Sequence, residues 1–312
     1  MRHAPPISGV IPAHLTPMLA DGAIDWTALG DHVRWLAGID GVRWITTTAH
    51  ASEVATLDDD ERQRLIGAVA TSLGDDIGVV AGIYEDGSAR AARQARLAVD
   101  AGARALLLFP SGTFAGGGPS HPRTQVAHYE TIAEAVDVPL IIFKYAVSSP
   151  LTMTAATVLE ILARIPNVTA VKEWSYDIVE YEDTYRAVKE VRPDVSVLSS
   201  FSRSLLSSLV VGSDGVLSAH GSIVGDLQAE LWTMVQNRDL DRARDLWDRI
   251  YPLAAACYRQ PFLDQHNRMK TVLGLLGRIP MGSTFVRAPL TTLPPDELAE
   301  LERACLAAGL SA

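Results

Sequence analysis

The chain of 312 residues is 48% hydrophobic and 21% charged, enough apolar material for the core of one large domain and unlike a disordered segment. Its formal net charge is -10 with no Lys/Arg run, which leaves no electrostatic case for nucleic acid or an anionic membrane and favours small-molecule chemistry. Met1 to Pro17 carries one arginine and no continuous apolar run, and no stretch reaches 18 apolar residues, so the expected location is cytoplasmic.

Eight short apolar runs alternate with longer amphipathic segments. The runs are Gly9–Thr16, Val42–Thr48, Ile77–Ile83, Ala105–Pro110, Pro139–Tyr145, Val168–Trp174, Val195–Phe201 and Gly215–His220. Segments such as Asp25–Ala37, Asp58–Leu73, Thr154–Ile165 and Ile178–Val191 follow the helical period of 3.6. Eight strands, each followed by a helix, is the count at which a parallel sheet closes, so the predicted fold is α/β, a (β/α)8 TIM barrel over residues 1–225. An open doubly wound sheet is the alternative. Residues 226–312 show helical patterning without a strand and are predicted to form a C-terminal helical extension packed on the barrel.

Only two cysteines occur, Cys257 and Cys305, which gives neither a disulfide framework nor a metal-ligand spacing. The barrel directs the search for chemistry to the strand ends, because the loops there converge on one mouth. Four lysines are present. Lys189 and Lys270 fall in helical segments expected to be solvated. Lys172 lies near the end of the sixth run, where strand alternation places Val168, Ala170 and Lys172 on one face, and small neighbours suit a desolvated amine able to attack a carbonyl. Lys144 competes at the end of the fifth run. If Phe143 and Tyr145 face the interior, however, Lys144 points outward to the helices.

The motifs then appear in a familiar order. They are Leu15 to Asp25 with its Thr16-Pro17 and Asp21-Gly22 pairs, Glu53 followed by Ala55 to Arg62, Val171-Lys172-Glu173, and Gly212 to Ser218. This order resembles the pyruvate-type class I aldolases and lyases that include dihydrodipicolinate synthase and N-acetylneuraminate lyase. The resemblance covers roughly residues 7 to 230. It implies a covalent imine between Lys172 and a 2-oxo acid, no metal or organic cofactor, and a homo-oligomer, tetramer or dimer.

The departures from the family pattern shape the functional reading. Ala49 to Ser52 replaces a Gly-Thr-Thr-Gly segment, so the imidazole of His50 stands where a relay hydroxyl is expected, as a relay or a substrate contact. The backbone N–H groups of Ala51 and Ser52 remain able to hold a carboxylate, and the carbonyl of Leu217 is expected across from the lysine. Phe143 occupies the position of the family's acid/base tyrosine and cannot transfer a proton. Tyr145, on the same face and about 6.6 Å nearer the mouth by strand rise, is the replacement phenol. No arginine lies between Val136 and Ala163, near the Ser148 position where dihydrodipicolinate synthase binds a second carboxylate. The glycine-rich Ser111 to Pro119 lacks a phosphate-loop ending and reads as an active-site lid.

The expected function is thus a Schiff-base lyase or aldolase acting on a 2-oxo acid, and not an authentic dihydrodipicolinate synthase. Two alternatives stay open. One is dehydration or deamination of a sugar-acid-like 2-oxo acid by the same imine, and the other is a non-catalytic binding member of the family.

Overall fold

The strands are short runs of Val, Ile, Leu, Ala and Gly with almost no polar alternation, because each is covered on both faces. In a computed structural model that describes residues 6–311, they are β1 (Gly9–Pro12), β2 (Trp44–Thr47), β3 (Gly78–Ile83), β4 (Ala105–Leu108), β5 (Leu140–Lys144), β6 (Val168–Glu173), β7 (Ser196–Ser199) and β8 (Gly215–Ser218). Residues 1–5 and 312, part of the N-terminal and domain readings above, lie outside the described residues.

All neighbouring strands pair in parallel, and β1 pairs with β8, which rules out the open doubly wound sheet. Closure on the other side is a single parallel bridge between Ala13 and Thr46, with His14 N–H donating to Thr46 O at 3.0 Å. The β1–β8 seam depends on glycine. A Cβ on Gly215 would stand 2.2 Å from Gly9 O, so no other residue lets the two backbones meet.

Helices α1 (Trp26–Ala37), α2 (Asp59–Leu73), α3 (Ser88–Asp100), α4 (Pro122–Ala133), α5 (Ala155–Arg164), α6 (Ile178–Val191), α7 (Leu205–Val211) and α8 (Gly221–Gln236) follow the eight strands in turn. Their starts are set by side-chain caps: Asp25 accepts from Ala28 N–H, Asp58 and Glu61 form a capping box, and Asp177 accepts from Val179 and Glu180 N–H. Among the described residues, no helix is long and apolar enough to cross a membrane.

The expected division at 225/226 falls inside α8, one residue past a break at Val224 (φ -135°, ψ 39°). That helix packs on β1 and β8 and is the eighth barrel helix. Beyond it come α9 (Leu240–Cys257), α10 (Gln265–Leu275) and α11 (Pro295–Ala307). Leu246, Ile250, Leu273 and Leu301 from these helices join Val10, Ile11 and Val216 of the barrel in one apolar cluster, so the extension shares the barrel's core.

One strand departs from simple alternation. The β5–β6 register pairs Leu140 with Val168 but Ile141 with Ala170, so Thr169 is an extra residue, a bulge. Val168 consequently packs in the layer between sheet and helices, whereas Ala170 packs in the barrel interior. The expectation that Val168 shares a face with Lys172 is corrected by that one-residue shift; Ala170 and Lys172 keep it.

Candidate active site

The mouth is built from the ends of β1, β2, β5, β6, β7 and β8 together with the start of α10. Strand alternation after the bulge turns Ala170 and Lys172 inward and Val171 and Glu173 outward. Lys172 is 7% exposed, and its Nζ stands 3.8 Å from the centroid of the Phe143 ring. Burial, with no carboxylate partner among the described residues, pushes its pKa down to about 7.

Lys144 behaves oppositely, as alternation on β5 requires. It is buried between sheet and α6, where its Nζ donates to Glu180 Oε1 at 2.5 Å, Thr184 Oγ1 at 2.8 Å and Glu173 Oε1 at 3.3 Å. Burial raises the Glu173 carboxyl, and Lys144 opposes that rise.

Around Lys172 lies a small inner chamber of about 40 Å³ whose walls include Ala13, Ala49, His50, Ala51, Phe143, Trp174, Tyr258 and His266. It opens into an outer chamber of about 810 Å³ that shares His50, Trp174, Tyr258 and His266. His50 therefore stands at the junction. Its Nε2 lies 3.1 Å from the Tyr145 hydroxyl, and Tyr145 borders the outer chamber. Burial, reinforced by the Lys172 charge, pushes His50 down to about 3, so the imidazole is neutral at neutral pH. Burial also pushes the Tyr145 phenol well above its ordinary range, keeping it protonated. The pair thus rests as a neutral phenol beside a neutral imidazole.

The residues expected to hold a carboxylate divide. His50 to Ser52 form one turn of 3-10 helix, and Ala51 reaches the inner chamber. Ser52 is fully buried. Its N–H donates to Ala49 O at 3.0 Å and its Oγ to His14 O at 3.1 Å, so a ligand would have to share an amide already engaged. Leu217 is also fully buried and borders neither chamber, where Ala219, two residues on, borders the inner one. The glycine-rich segment folds as two 3-10 turns, Gly112–Gly116 and Gly118–Ser120. It is tied to Asp86 through Ser111 Oγ and Gly112 N–H, at 2.6 and 2.7 Å, and borders neither chamber, contrary to its reading as a lid.

The C-terminal helices supply what the sequence reading missed. His266, in the first turn of α10, and Tyr258, just past α9, border both chambers. Burial first, and then the charges of His50, Lys172 and Lys270, pushes His266 down to about 3. Lys270, expected to be solvated, is fully buried. It pairs with Glu53 and donates to Phe285 O at 2.5 Å. Glu53 sits at φ 57° and also accepts from Arg287 N–H, so the loop after β2 is tied to the C-terminal segment. Among the described residues, no three His, Cys, Asp or Glu side chains are grouped to share a metal ion.

Comparison with known proteins agrees with this architecture. A 4-hydroxy-tetrahydrodipicolinate synthase of Haloarcula marismortui is 30% identical over 298 residues, covering 94% of this chain and 91% of that protein. Dihydrodipicolinate synthase of Aquifex aeolicus superposes with a TM-score of 0.86 at 23% identity, covering 98% and 99% of the two chains. YagE, a prophage protein of the dihydrodipicolinic acid synthase family from E. coli K12 solved in complex with pyruvate, gives 0.86 at 21% identity, covering 97% and 99%. The model of the dihydrodipicolinate synthetase family matches residues 6–308, and with a closed parallel barrel and an inward lysine on its sixth strand the chain belongs to that family.

Proposed function

We propose that the protein is a Schiff-base lyase or aldolase that bonds a 2-oxo acid covalently through Lys172. The observation that carries this reading is a buried lysine at the end of a barrel strand, facing a small chamber with no carboxylate partner among the described residues, its pKa lowered by burial to about 7. A lysine at 10.5 presents roughly one neutral amine in three thousand at pH 7, whereas one near 7 presents about half.

The neutral amine attacks the C2 carbonyl carbon, and the carbinolamine loses water to give the imine. The imine accepts the electron pair when a proton or a carbon fragment leaves C3, giving an enamine. Tyr145 and His50 form the proton path: the phenol gives its proton to the leaving or arriving oxygen, and the neutral imidazole returns one from one ring nitrogen as the other takes up a proton from C3 or from water. Ala51 borders the same chamber as the amine, and its N–H is the one assigned to the 2-oxo acid carboxylate.

Several relatives bear the name 4-hydroxy-tetrahydrodipicolinate synthase. We assign a different second substrate here, because Phe143 replaces a phenol beneath the lysine and the fifth-strand loop offers only Ser148 and Ser149 to the outer chamber, whose guanidinium, Arg203, comes instead from the loop after β7. A lost charge-assisted contact of that kind is worth roughly 1.5–3 kcal/mol. Pyruvate with aspartate semialdehyde should turn over negligibly.

The test is reductive trapping. Pyruvate and borohydride should add the mass of the reduced adduct to the peptide holding Lys172, and Lys172→Ala should abolish it. Label on Lys144 instead would sink the assignment.

A further inference from the structure

The inner chamber gathers bases and no acid. Lys172, His50 and His266 reach it from β6, from the 3-10 turn after β2 and from α10, and among the described residues none of its walls is Asp, Glu or Arg. Burial holds all three bases below their ordinary values, so at neutral pH two uncharged imidazoles stand beside an amine poised to lose its proton. Forming an iminium at Lys172 places a buried positive charge among them, which is costly without an opposite partner. The walls supply none. The counter-charge in the occupied chamber is therefore the carboxylate of the 2-oxo acid itself.

That carboxylate needs more donors than the turn after β2 gives. The first bond of the turn runs from Ser52 N–H to Ala49 O at 3.0 Å, and the Ala51 N–H ahead of it can meet one lone pair of a group that accepts about four. His50 is already bonded through Nε2 to the Tyr145 hydroxyl at 3.1 Å. Ser200, Ser202 and Gln265 also reach the wall, but none of them can take up a charge. His266 differs. It is half-buried, borders both chambers, and no described residue hydrogen-bonds its ring. The charges of His50 and Lys172 both press on it, as expected of a ring near the amine and the turn at once. A neutral imidazole carries one N–H, which bonds an ionised oxygen about twice as strongly as a neutral one, and an approaching anion raises its affinity for a proton.

We propose that the ring N–H of His266 is the second donor to the carboxylate of the 2-oxo acid, so that the first turn of α10 and the turn after β2 hold that group between them. This rests on the imine at Lys172 for the place of the 2-oxo acid. It makes His266 a binding residue that selects an acid over its ester, and it gives the C-terminal helices a direct part in recognising the substrate.

The test compares pyruvate with methyl pyruvate, which keeps the carbonyl and loses the charge. The half-saturating concentration and maximal rate of borohydride trapping are measured for both in the wild type, His266→Leu, His266→Gln and Gln265→Leu. Binding of pyruvate is followed by saturation-transfer NMR in Lys172→Ala, with and without His266→Leu. His266→Leu should raise half-saturation by pyruvate about ten- to a hundred-fold, the range of a lost charge-assisted contact, and that by methyl pyruvate at most about two-fold, with the maximal rate kept. His266→Gln, which keeps a donor, should recover most of the loss, and Gln265→Leu should disturb neither ligand. In wild-type protein with isotope-labelled histidine, pyruvate but not methyl pyruvate should shift the His266 ring resonances, a readout independent of how well the variants fold. Binding of pyruvate that depends on His266 in Lys172→Ala, with no adduct in the wild type, would uphold the contact and remove the imine. Equal losses for the two ligands in His266→Leu, or discrimination lost in Gln265→Leu alone, would overturn the proposal.

Discussion

The Nζ of Lys172 stands 3.8 Å over the centre of the Phe143 ring, a placement that shields the amine from water while offering it only the weak attraction of a ring face. Desolvation therefore prevails, and the pKa falls to about 7. The nucleophile is the deprotonated form. Cyanoborohydride trapping of pyruvate should accordingly quicken as pH rises to about 7 and level off above it. Phe143→Ala, which opens the site to water, should move the inflection upward, and Phe143→Leu should hardly move it. An inflection near 10 in the wild type would mean that Lys172 is solvated.

Lys144 and Glu173 test the opposite role for a buried lysine. Removing one partner of such a pair leaves an uncompensated buried charge, which costs about 3–5 kcal/mol. Lys144→Met should therefore lower the denaturant midpoint sharply, and adding Glu173→Gln should recover part of the loss. Surviving Lys144→Met protein should still form the pyruvate adduct. Loss of the adduct at full stability would give Lys144 a chemical role that its ion pairs argue against.

The barrel was legible because its signals are local. Strands buried on both faces read as unbroken apolar runs, and helix starts are marked by Asp25, Asp58 and Asp177 acting within three residues of themselves. Lys172, Lys144 and Tyr145 could be placed by alternation on β5 and β6. Val168 could not, since a bulge at Thr169 has no signature in residue type. Lys270, His266 and Tyr258 were hidden for a different reason. Their sites form only when α9 and α10 fold over a mouth made some hundred residues earlier, which no local period encodes. A usable hint is the start of α10, where Gln265, His266, Asn267 and Arg268 follow one another and so cannot all lie on one solvated face.

A second prediction on pH concerns His32, which is fully buried, stacks on Trp35 at 6.0 Å and has no protein partner for either ring nitrogen among the described residues. Burial pushes it down to about 3, helped by His14 and Arg278. Folded and unfolded forms therefore differ in proton uptake between pH 6.5 and about 3. The unfolded chain binds the extra proton there, so the stability present above pH 6.5 is lost as pH falls, at about 1.4 kcal/mol per pH unit. His32→Leu, which keeps the volume and removes the proton site, should flatten the acid limb of a urea midpoint against pH curve. It should change stability little at pH 8. An unchanged acid limb would show that other groups set it.

The last prediction separates three groups able to carry the proton over the imine. Phe143 has no exchangeable hydrogen, so the candidate phenols are Tyr145, bonded to His50 at 3.1 Å, and Tyr258, which borders the inner chamber from the C-terminal side. Removing a positioned general acid or base costs about 10²–10⁴-fold in rate. Tyr145 is coupled to His50, a neutral imidazole that borders both chambers and can pass it a proton from one ring nitrogen while taking up another at the second. Tyr258 is buried, and its phenol is pushed far upward chiefly by that burial. Tyr145→Phe should thus lower kcat by that order with the pyruvate adduct still trapped at Lys172 and the fold intact, whereas Tyr258→Phe should cost ten-fold or less, about 1.4 kcal/mol. His50→Asn should resemble Tyr145→Phe, and the double variant should lose little more than either single one, as expected of two members of one relay. Near-normal turnover in Tyr145→Phe together with a deep loss in Tyr258→Phe would move the proton path to the C-terminal side of the mouth, where His266 would become the candidate partner.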